Sequence, residues 1–357
     1  MQVALVGMSQ SGKSTLFEAV TEGKGAAHAG GHHAGRAVVS VPDDRVEKLA
    51  QVYVPKKKTH ATIEFLDLAG LDFTTEPGRH ESRRVVAAAR QAALLVLVAR
   101  AFQDDSVMAY RDRIDPKRDL EELKEELLLA DLEQVANRIE KLEKQITKPT
   151  PQAQLDKKEL ELMRRCHDAL ESLAPIKDAI QSLEEEKLVR SFGFLTLKPL
   201  VVVWNVIEDA VGTEAGVTET EAGGPVLVLS AKLEAELAAL TEQERGAFME
   251  ELGVTEPAKD RLIRTCYQSM HLISFLTYGA DEVRAWTIPA GCPAVEAAHE
   301  IHSDIARGFI RAETVAWDDY AAAGYDMKAV KAAGKARLEG KTYEVQDGDL
   351  ITFRFNA

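Results

Sequence analysis

Short apolar runs recur in the first two thirds of the chain and predict the strands of a buried parallel sheet. The runs at 94–99 and 199–204 are apolar without interruption, which is typical of strands covered on both faces. Residues 2–6, 61–66 and 225–229 have a similar length and predict three further strands. Because glycine and polar residues follow several of these runs directly, we expect candidate functional residues at the carboxyl edge of an α/β sheet.

A long charged region with leucines at helical spacing interrupts this pattern. Residues 119–146 and 153–190 are rich in helix-favouring charged residues, and their apolar positions recur mostly every three or four residues. Pro149 and Pro151 separate the two halves. The pattern predicts an antiparallel helical hairpin that projects from the sheet domain, with its charges on a solvated surface in preference to a catalytic site.

The C-terminal region changes pattern again, to short β segments separated by turns. Residues 282–288 alternate as a strand, and residues 293–305 favour a helix. Residues 345–355 read as a turn followed by a strand. We therefore expect a compact α+β module at this end of the chain.

Length and cysteine usage narrow the class of protein. A chain of 357 residues favours two or three domains. Its longest apolar run, at 92–99, is too short to cross a bilayer, and no basic segment precedes an apolar stretch at the N-terminus. Cys166, Cys266 and Cys292 stand far apart without metal-ligand spacing. We expect a soluble, cytoplasmic protein without membrane contact, whose thiols are ordinary residues, with redox sensing as the minor alternative.

The net charge of -14 argues against sequence-independent binding to DNA or RNA, which needs Lys and Arg to displace counterions. Any RNA contact must therefore use a local basic patch. Lys56, Lys57 and Lys58 form one candidate, although a solvated turn after Pro55 is the simpler interpretation.

The strongest chemical signal lies at the N-terminus. The predicted strand 2–6 runs directly into a complete G-x-x-x-x-G-K-S phosphate loop at 7–14. Its two glycines allow successive N–H groups to face phosphates, Lys13 supplies a positive charge, and the Ser14 hydroxyl suits Mg²⁺. The following helix would direct its positive end at the anion. The predicted nucleotide-binding residues here are Gly7, Gln10, Ser11, Gly12, Lys13, Ser14 and Thr15.

A second motif for the phosphate side follows the predicted strand 61–66. Asp67 and Gly70 form an Asp-x-x-Gly sequence at the carboxyl end of that strand. The carboxylate can hold Mg²⁺ through water, and the glycine can offer its N–H group to a γ-phosphate. We therefore predict Ser14 and Asp67 as the metal site, and Lys13 and Gly70 as the catalytic residues.

Two further strand ends predict a site for the nucleotide base. Asn205 and Glu208 follow one strand, and Ser230, Ala231 and Lys232 follow the next, in the places where P-loop switch proteins carry Asn-Lys-x-Asp and Ser-Ala-Lys. The glutamate at 208 replaces the aspartate that pairs with guanine, and a valine replaces the lysine. This pattern argues against GTP specificity more firmly than it argues for ATP.

These residues closely resemble the YchF or Obg-like ATPase family of translation-factor-class P-loop proteins, over nearly the whole chain. Several of the matching stretches are specific to that family. They are 41–49, 55–57, 61–71, 115–119, 129–133, Asn205 with Glu208, 308–313 and 346–349.

The resemblance implies both an architecture and an activity. It implies a Ras-like P-loop NTPase domain at 1–116 and 193–272, an inserted antiparallel helical arm at 117–192, and a C-terminal β-grasp (TGS) domain at 273–357. It also implies ATP hydrolysis at least as good as GTP hydrolysis. The expected partner is the ribosome or ribosomal RNA, contacted through the arm and the TGS domain.

The expected catalytic centre lacks groups that Ras-type enzymes, or the rest of this family, carry there. Leu71, a replacement that the family shares, has no polar atom to orient an attacking water, so a partner, a bound K⁺ or another group must do so. The first switch loop of the family contains a threonine, but no Thr or Ser lies between Thr21 and Ser40 here. A substitute role for His32 or His33 is conceivable, although such imidazoles are more often incidental. The second switch is bulkier and more polar at 73–82, and an expected histidine is alanine at 109.

Two functions from different classes follow. The first is a Mg²⁺-dependent nucleoside triphosphatase that prefers ATP, turns over slowly without a partner or K⁺, and acts as a regulatory switch on the ribosome or in a stress response. The second is a nucleotide-gated adaptor with negligible turnover, which the changes in the switch loops favour. A P-loop small-molecule kinase is disfavoured, because it needs neither the base-binding pair of loops nor a TGS-like tail.

Overall fold

The computed structural model describes residues 1–24, 26–27, 33–147, 151–251 and 254–356. Within these ranges the chain forms two sheets from thirteen strands. The strands are β1 (Gln2–Val6), β2 (Ala26–Ala27), β3 (His33–Ser40), β4 (Lys57–Thr59), β5 (Thr62–Leu68), β6 (Leu94–Arg100), β7 (Leu200–Asn205), β8 (Val226–Leu229), β9 (Leu272–Thr277), β10 (Glu282–Pro289), β11 (Phe309–Val315), β12 (Arg337–Glu339) and β13 (Leu350–Phe355).

Fourteen α-helices lie between these strands in the described part of the chain. They are α1 (Lys13–Thr21), α2 (Asp44–Tyr53), α3 (Glu76–Ala89), α4 (Pro116–Gln145), α5 (Ala153–Glu171), α6 (Leu183–Arg190), α7 (Glu219–Ala222), α8 (Ala231–Ala239), α9 (Glu242–Glu251), α10 (Ala258–Ser269), α11 (Ala294–Ile301), α12 (Ser303–Arg307), α13 (Trp317–Ala322) and α14 (Met327–Ala332).

The first sheet has the strand order β2-β3-β5-β1-β6-β7-β8. Its strands from β5 to β8 pair in parallel, and Val3 of β1 lies opposite Phe65 on one side and Leu94 on the other. Every residue of β6 is buried, as its uninterrupted apolar sequence predicts. The parallel arrangement brings the carboxyl ends of β1, β5, β6, β7 and β8 to one edge of the sheet.

The second sheet has the strand order β12-β11-β13-β9-β10-β4. Strands β9 and β10 are antiparallel, whereas β13 pairs with β9 and β4 pairs with β10 in parallel. Phe275, Ile288 and Ile351 form part of a core together with Ala294 and Ala297 of α11. The alternation of buried and half-exposed positions in β10 matches a strand with one covered face.

The chain divides into two compact units, and the division does not follow the sequence order. The first unit contains Met1–Ala37 and Glu64–Lys259, and the second contains Val38–Ile63 and Asp260–Ala357. The predicted boundaries placed Val38–Ile63 in the nucleotide domain, but α2 and β4 belong to the second unit here. The helical arm belongs to the first unit.

Two of the three lysines at 56–58 lie in a strand, so the predicted turn is wrong for Lys57 and Lys58, although all three lysines are exposed to solvent as predicted. Residues 57–59 form β4, at the edge of the second sheet. Each lysine faces a carboxylate: Lys56 Nζ lies 2.7 Å from Asp281, Lys57 Nζ 3.2 Å from Glu282, and Lys58 Nζ 2.7 Å from Glu47. Because each charge has a neighbouring carboxylate, this run makes a weaker candidate for RNA contact than its sequence suggests.

The helical arm consists of α4 and α5 packed around a common apolar core that includes Val135, Leu142, Met163 and Cys166. The second predicted helix, 153–190, is interrupted between α5 and α6. Two local features explain the break: Leu173 has a left-handed φ of 56°, and Pro175 cannot donate a helical hydrogen bond. The Ser182 side chain then caps α6 by accepting from the N–H of Glu185.

In the described ranges, no helix combines the length and the apolarity that a membrane crossing requires. Cys166, Cys266 and Cys292 are free and buried. Burial raises the pKa of the Cys166 thiol to about 11 and also raises the pKa values of the other two. These thiols therefore lack the thiolate character of a redox sensor.

Candidate nucleotide-binding site

The phosphate loop joins β1 to α1, and its geometry requires glycine at two positions. Gly12 is the N-cap of α1 with a φ of 87°, in the left-handed region, where a Cβ atom would also collide with the Asn205 amide. A Cβ atom on Gly7 would lie 2.5 Å from the carbonyl oxygen of Val98. Both glycines of the motif are therefore required by geometry, and the loop ends at the N-terminus of a nine-residue helix.

Lys13 lies inside this loop and is only 5% exposed. Its Nζ donates to the carbonyl oxygen of Met8 at 3.4 Å, within the loop that the motif predicts to hold phosphates. Burial lowers the pKa of Lys13 to about 8, and the nearby Asp67 carboxylate opposes that effect. A triphosphate in the loop would add negative charge beside this buried ammonium group and offset the cost of its burial.

The predicted metal-binding residues Ser14 and Asp67 are in contact. The Ser14 hydroxyl donates to Asp67 Oδ2 at 2.8 Å. Asp67 is 2% exposed, and burial raises the pKa of its carboxyl group. Its second oxygen, Oδ1, is buried without a hydrogen-bond partner among the described residues. A hydroxyl beside an unsatisfied carboxylate oxygen is a donor set that fits Mg²⁺.

Gly70 and Leu71 pack directly on the phosphate loop. A Cβ atom on Gly70 would lie 2.7 Å from Ser9 Cα, so a larger residue could not approach as closely. The N–H of Leu71 donates to the carbonyl oxygen of Gly7 at 3.1 Å, and the N–H of Ser9 donates to that of Leu71 at 2.8 Å. The Leu71 side chain is fully buried. Gly70 is thus next to the loop, as its predicted role requires, while Leu71 is part of the core.

Asn205 connects the two halves of the site. Its amide Nδ2 donates to the carbonyl oxygen of Ser11 at 3.0 Å, and its Oδ1 accepts from the N–H of Ala231 at 2.9 Å. Asn205 is 3% exposed. Through these two buried hydrogen bonds its side chain links the phosphate loop to the start of α8. The Ser230 hydroxyl caps α8 by accepting from the N–H of Leu233.

A cavity of about 600 Å³ adjoins the end of the phosphate loop. Lys232 and Glu208 lie at its wall, with Lys232 Nζ 3.0 Å from Glu208 Oε1. The structure therefore brings the predicted base-binding residues together around one cavity. The lining residues are Gln10, Gly12, Thr15, Phe102, Gln103, Asp104, Val107, Asn205, Val206, Ile207, Glu208, Ser230, Ala231 and Lys232.

The sequence reasoning missed one wall of this cavity. Phe102, Gln103, Asp104 and Val107 come from the segment after β6, to which no motif had been assigned. The position of that segment gave a usable signal, because it follows a buried parallel strand at the same edge of the sheet as the phosphate loop.

The predicted first switch loop, with His32 and His33, lies partly outside the described residues. His32 lies outside the described residues, and of His33 only the backbone, in β3, is described. Gly35, two residues after His33, is described. A Cβ atom on Gly35 would lie 2.6 Å from the ring of Phe17, so this position packs closely on α1.

A parallel sheet, a phosphate loop after its first strand and a base-sized cavity at the same edge together define a P-loop protein of the nucleoside-triphosphatase class. The family model "50S ribosome-binding GTPase" (MMR_HSR1) matches residues 2–141. The model YchF-GTPase_C, described as "Protein of unknown function (DUF933)", matches residues 272–356.

Full-length relatives identify the family. The chain is 40% identical over 374 residues to the "Ribosome-binding ATPase YchF" of Bacillus subtilis (strain 168), with 100% of both chains covered. It is 35% identical to the protein of that name from Escherichia coli O157:H7, with 99% of this chain and 98% of the other covered. The chain therefore belongs to the YchF family, as its residues predicted.

The fold agrees with a solved structure of that family. The Schizosaccharomyces pombe YchF GTPase superposes with a TM-score of 0.84 at 28% identity, covering 99% of this chain and 97% of the other. The predicted α/β class, with a P-loop domain, a helical region and a C-terminal domain, is confirmed. The assignment of the C-terminal domain to the TGS type stays a prediction.

Proposed function

We propose that this protein is a Mg²⁺-dependent nucleoside triphosphatase that prefers ATP, turns over slowly on its own, and changes its association with the ribosome according to the bound nucleotide. The observation that carries this proposal is the convergence of three features at one sheet edge. These features are the phosphate loop with a buried Lys13, the Ser14–Asp67 pair, and the base-sized cavity beside Asn205.

The phosphate side of the site supports binding and charge stabilisation. The loop N–H groups and Lys13 would hold the β- and γ-phosphates, and Gly70 lies close enough to the loop to sense the γ-phosphate. Ser14 and Asp67 would hold Mg²⁺, which neutralises phosphate charge when bound. Asp67 Oδ1 would then gain the partner that it lacks.

The base side supports a preference for ATP. The carboxylate that would pair with guanine already has Lys232 at 3.0 Å from its Oε1, so guanine N–H groups would have to compete with that ammonium group for this oxygen. Phe102, Val206 and Ile207 give the cavity apolar surface against which any purine can pack.

The expected turnover is slow, because Leu71, the residue after Gly70, cannot orient an attacking water molecule. Leu71 is fully buried and has no polar side-chain atom, so the attacking water must be oriented by K⁺, by a partner or by a group outside this motif. The relatives named "Ribosome-binding ATPase YchF" point to the ribosome as that partner.

Calorimetric titration and steady-state hydrolysis with ATP and GTP test the proposal. We expect tighter binding of ATP, release of phosphate that rises with K⁺ or ribosomes, and loss of both in Lys13→Ala. Lys157→Ala, which removes an exposed lysine in α5, is the matched control and should leave both unchanged. Failure of the wild type to bind either nucleotide would overturn the proposal.

The adaptor function remains the second candidate, and the changes in the switch loops favour it: no Thr or Ser lies between Thr21 and Ser40, where the family carries a threonine. It predicts that ATP binds tightly without phosphate release, even with K⁺ and ribosomes. Ribosome pelleting with ATP, with ADP and without nucleotide then decides whether the bound nucleotide still controls association.

A further inference from the structure

Arg100, the last residue of β6, is a buried arginine outside all of the sequence motifs. It is 5% exposed. Its guanidinium donates to the carbonyl oxygens of Met108 and Val107, both at 3.0 Å, and more weakly to those of Phe102 at 3.3 Å and Asp104 at 3.4 Å. Within the described part of the chain, all hydrogen bonds that it donates go to these main-chain carbonyls.

These carbonyls belong to a single segment, residues 102–108, which we call the β6 loop. Three of the four residues that accept from Arg100, namely Phe102, Asp104 and Val107, line the cavity beside the phosphate loop. The segment contains no helix or strand, so its backbone has no ladder of its own to fix it. A buried guanidinium with five donors in a rigid plane is suited to organise several carbonyls at once.

The Phe102 ring borders the phosphate loop. Arg100 Cζ lies 4.6 Å from the centroid of this ring, which is a cation–π contact. An edge carbon of the ring lies 3.6 Å from the position that a Cβ atom on Gly12 would occupy. Arg100 therefore contacts both the backbone of the β6 loop and the ring that borders the Gly12 end of the phosphate loop.

We infer that Arg100 is a positioning residue for the nucleotide base: through four carbonyls it holds the β6 loop as one wall of the base cavity. The inference rests on the proposed function for the identity of the ligand. It assigns to Arg100 no contact with the phosphates, so its removal should weaken binding of a nucleotide while leaving binding of a triphosphate tail alone unchanged.

The test compares ATP with inorganic tripolyphosphate, in the presence of Mg²⁺, on the full chain. We expect Arg100→Met to weaken ATP binding at least tenfold and Arg100→Lys to weaken it less, because lysine keeps the charge but loses the planar set of donors. Affinity for tripolyphosphate should stay within twofold of wild type in both variants. Arg190→Met, at an exposed arginine of α6, is the control and should change neither ligand.

Amide hydrogen exchange supplies a readout that does not depend on a ligand. We expect faster exchange at residues 103–108 in Arg100→Lys, with β1 and β7 unchanged. Equal weakening of ATP and tripolyphosphate would overturn the inference, since it would show a general structural effect. Unchanged ATP affinity with unchanged exchange in this loop would also overturn it.

Two further outcomes keep the inference separate from the proposed function. If Arg100→Met does not fold, Arg100→Lys carries the whole comparison by the same criteria. If the wild type binds tripolyphosphate but not ATP, the proposed function fails. The exchange measurement then still decides whether Arg100 fixes the β6 loop.

Discussion

The ammonium group of Lys13 is buried, donates to one carbonyl oxygen, and feels the charge of the nearby Asp67 carboxylate. Burial lowers its pKa from 10.5 to about 8. Between about pH 8 and 10.5 the unfolded chain therefore binds more protons than the folded chain, so the contribution of this residue to the free energy of unfolding rises with pH. Below pH 8 the folded protein carries the full penalty of the buried charge.

Replacement of Lys13 by methionine should stabilise the nucleotide-free protein at pH 7 by about 1–3 kcal/mol, since a shift of one pKa unit corresponds to about 1.4 kcal/mol. The gain should shrink as the pH rises from 8 to 10.5, where wild-type Lys13 becomes neutral. Urea unfolding at pH 7 and pH 10 measures both values. The same variant should lose ATP binding.

The control for this prediction is Lys157→Met, which changes an exposed lysine and should show no gain at either pH. A gain in Lys13→Met that is equal at pH 7 and pH 10 would contradict the explanation by charge and would indicate better apolar packing instead.

Asn205 shows how a predicted base-binding residue acts through the backbone. In Asn205→Ala, the carbonyl oxygen of Ser11 and the N–H of Ala231 both lose a buried partner. We expect a loss of about 2–6 kcal/mol in the free energy of unfolding, at about 1–3 kcal/mol for each of the two unsatisfied groups. Chemical denaturation measures this loss, and Asn137→Ala, on the exposed side of α4, should change stability by less than about 0.5 kcal/mol.

For the residues of the site, the sequence predicted contiguous motifs well and contacts between distant segments poorly. The phosphate loop was recognisable because its residues are adjacent in the chain and its chemistry depends on their spacing. Arg100 and Phe102 were missed because their roles depend on the fold of an irregular loop, which no periodicity encodes. The ion pair between Glu208 and Lys232 of α8 was also missed, although the sequence predicted both residues at the base site.

A buried acid, Asp131, holds several elements together at the base of the helical arm. Asp131 of α4 is fully buried and accepts from the N–H groups of Leu195 at 3.1 Å and Thr196 at 2.9 Å. Arg90, the C-cap of α3, lies 2.5 Å from the same carboxylate. One side chain therefore joins the outgoing arm helix, the returning chain and the end of α3.

Replacement of Asp131 by alanine should destabilise the protein by about 3–5 kcal/mol, because Arg90 loses its buried carboxylate and the N–H groups of Leu195 and Thr196 lose their acceptor. Denaturant unfolding measures the loss, and proteolysis of the arm should become faster. Asp178→Ala, at an exposed acid of the same arm, is the control. Equal stability of the two variants would show that the contacts of Asp131 do not stabilise the base of the arm.

The elements that the sequence predicted correctly are those with a strong pattern of apolar residues, either an uninterrupted run or a helical repeat. The strands β6 and β7 and the first arm helix have long runs of apolar residues or of helical repeats. The missed elements lack such a run. Helix α3 begins with the polar sequence of the second switch, and β4 consists of Lys-Lys-Thr, whose pairing with β10 supplies the order that its composition does not.

The second unit depends on a segment that comes early in the chain. Arg45 of α2 lies 2.8 Å from Asp43 and 2.7 Å from Asp347, and the Asp347 carboxylate also accepts from the N–H of Ser274. These contacts join the early segment to the loop before β13 and to β9.

Arg45→Ala should therefore loosen the second unit by about 1–2 kcal/mol. Hydrogen exchange should become faster in β9 and β13, with β1 and β6 of the first unit unchanged. Arg307→Ala, at an exposed arginine of α12, should leave all four strands unaffected. An equal change in both units would mean that Arg45 supports the whole chain and not this unit alone.

The division of the second unit between two distant parts of the sequence also constrains its biosynthesis. Val38–Ile63 leaves the ribosome about 200 residues before Asp260, the first residue of the remainder. At roughly 5–20 residues per second, β4 waits on the order of 10–40 seconds before β10, its partner, has been synthesised. During that interval the nascent chain exposes a strand with no neighbour, and the charges of its two lysines and of the adjacent Lys56 would discourage wrong pairing until β10 emerges.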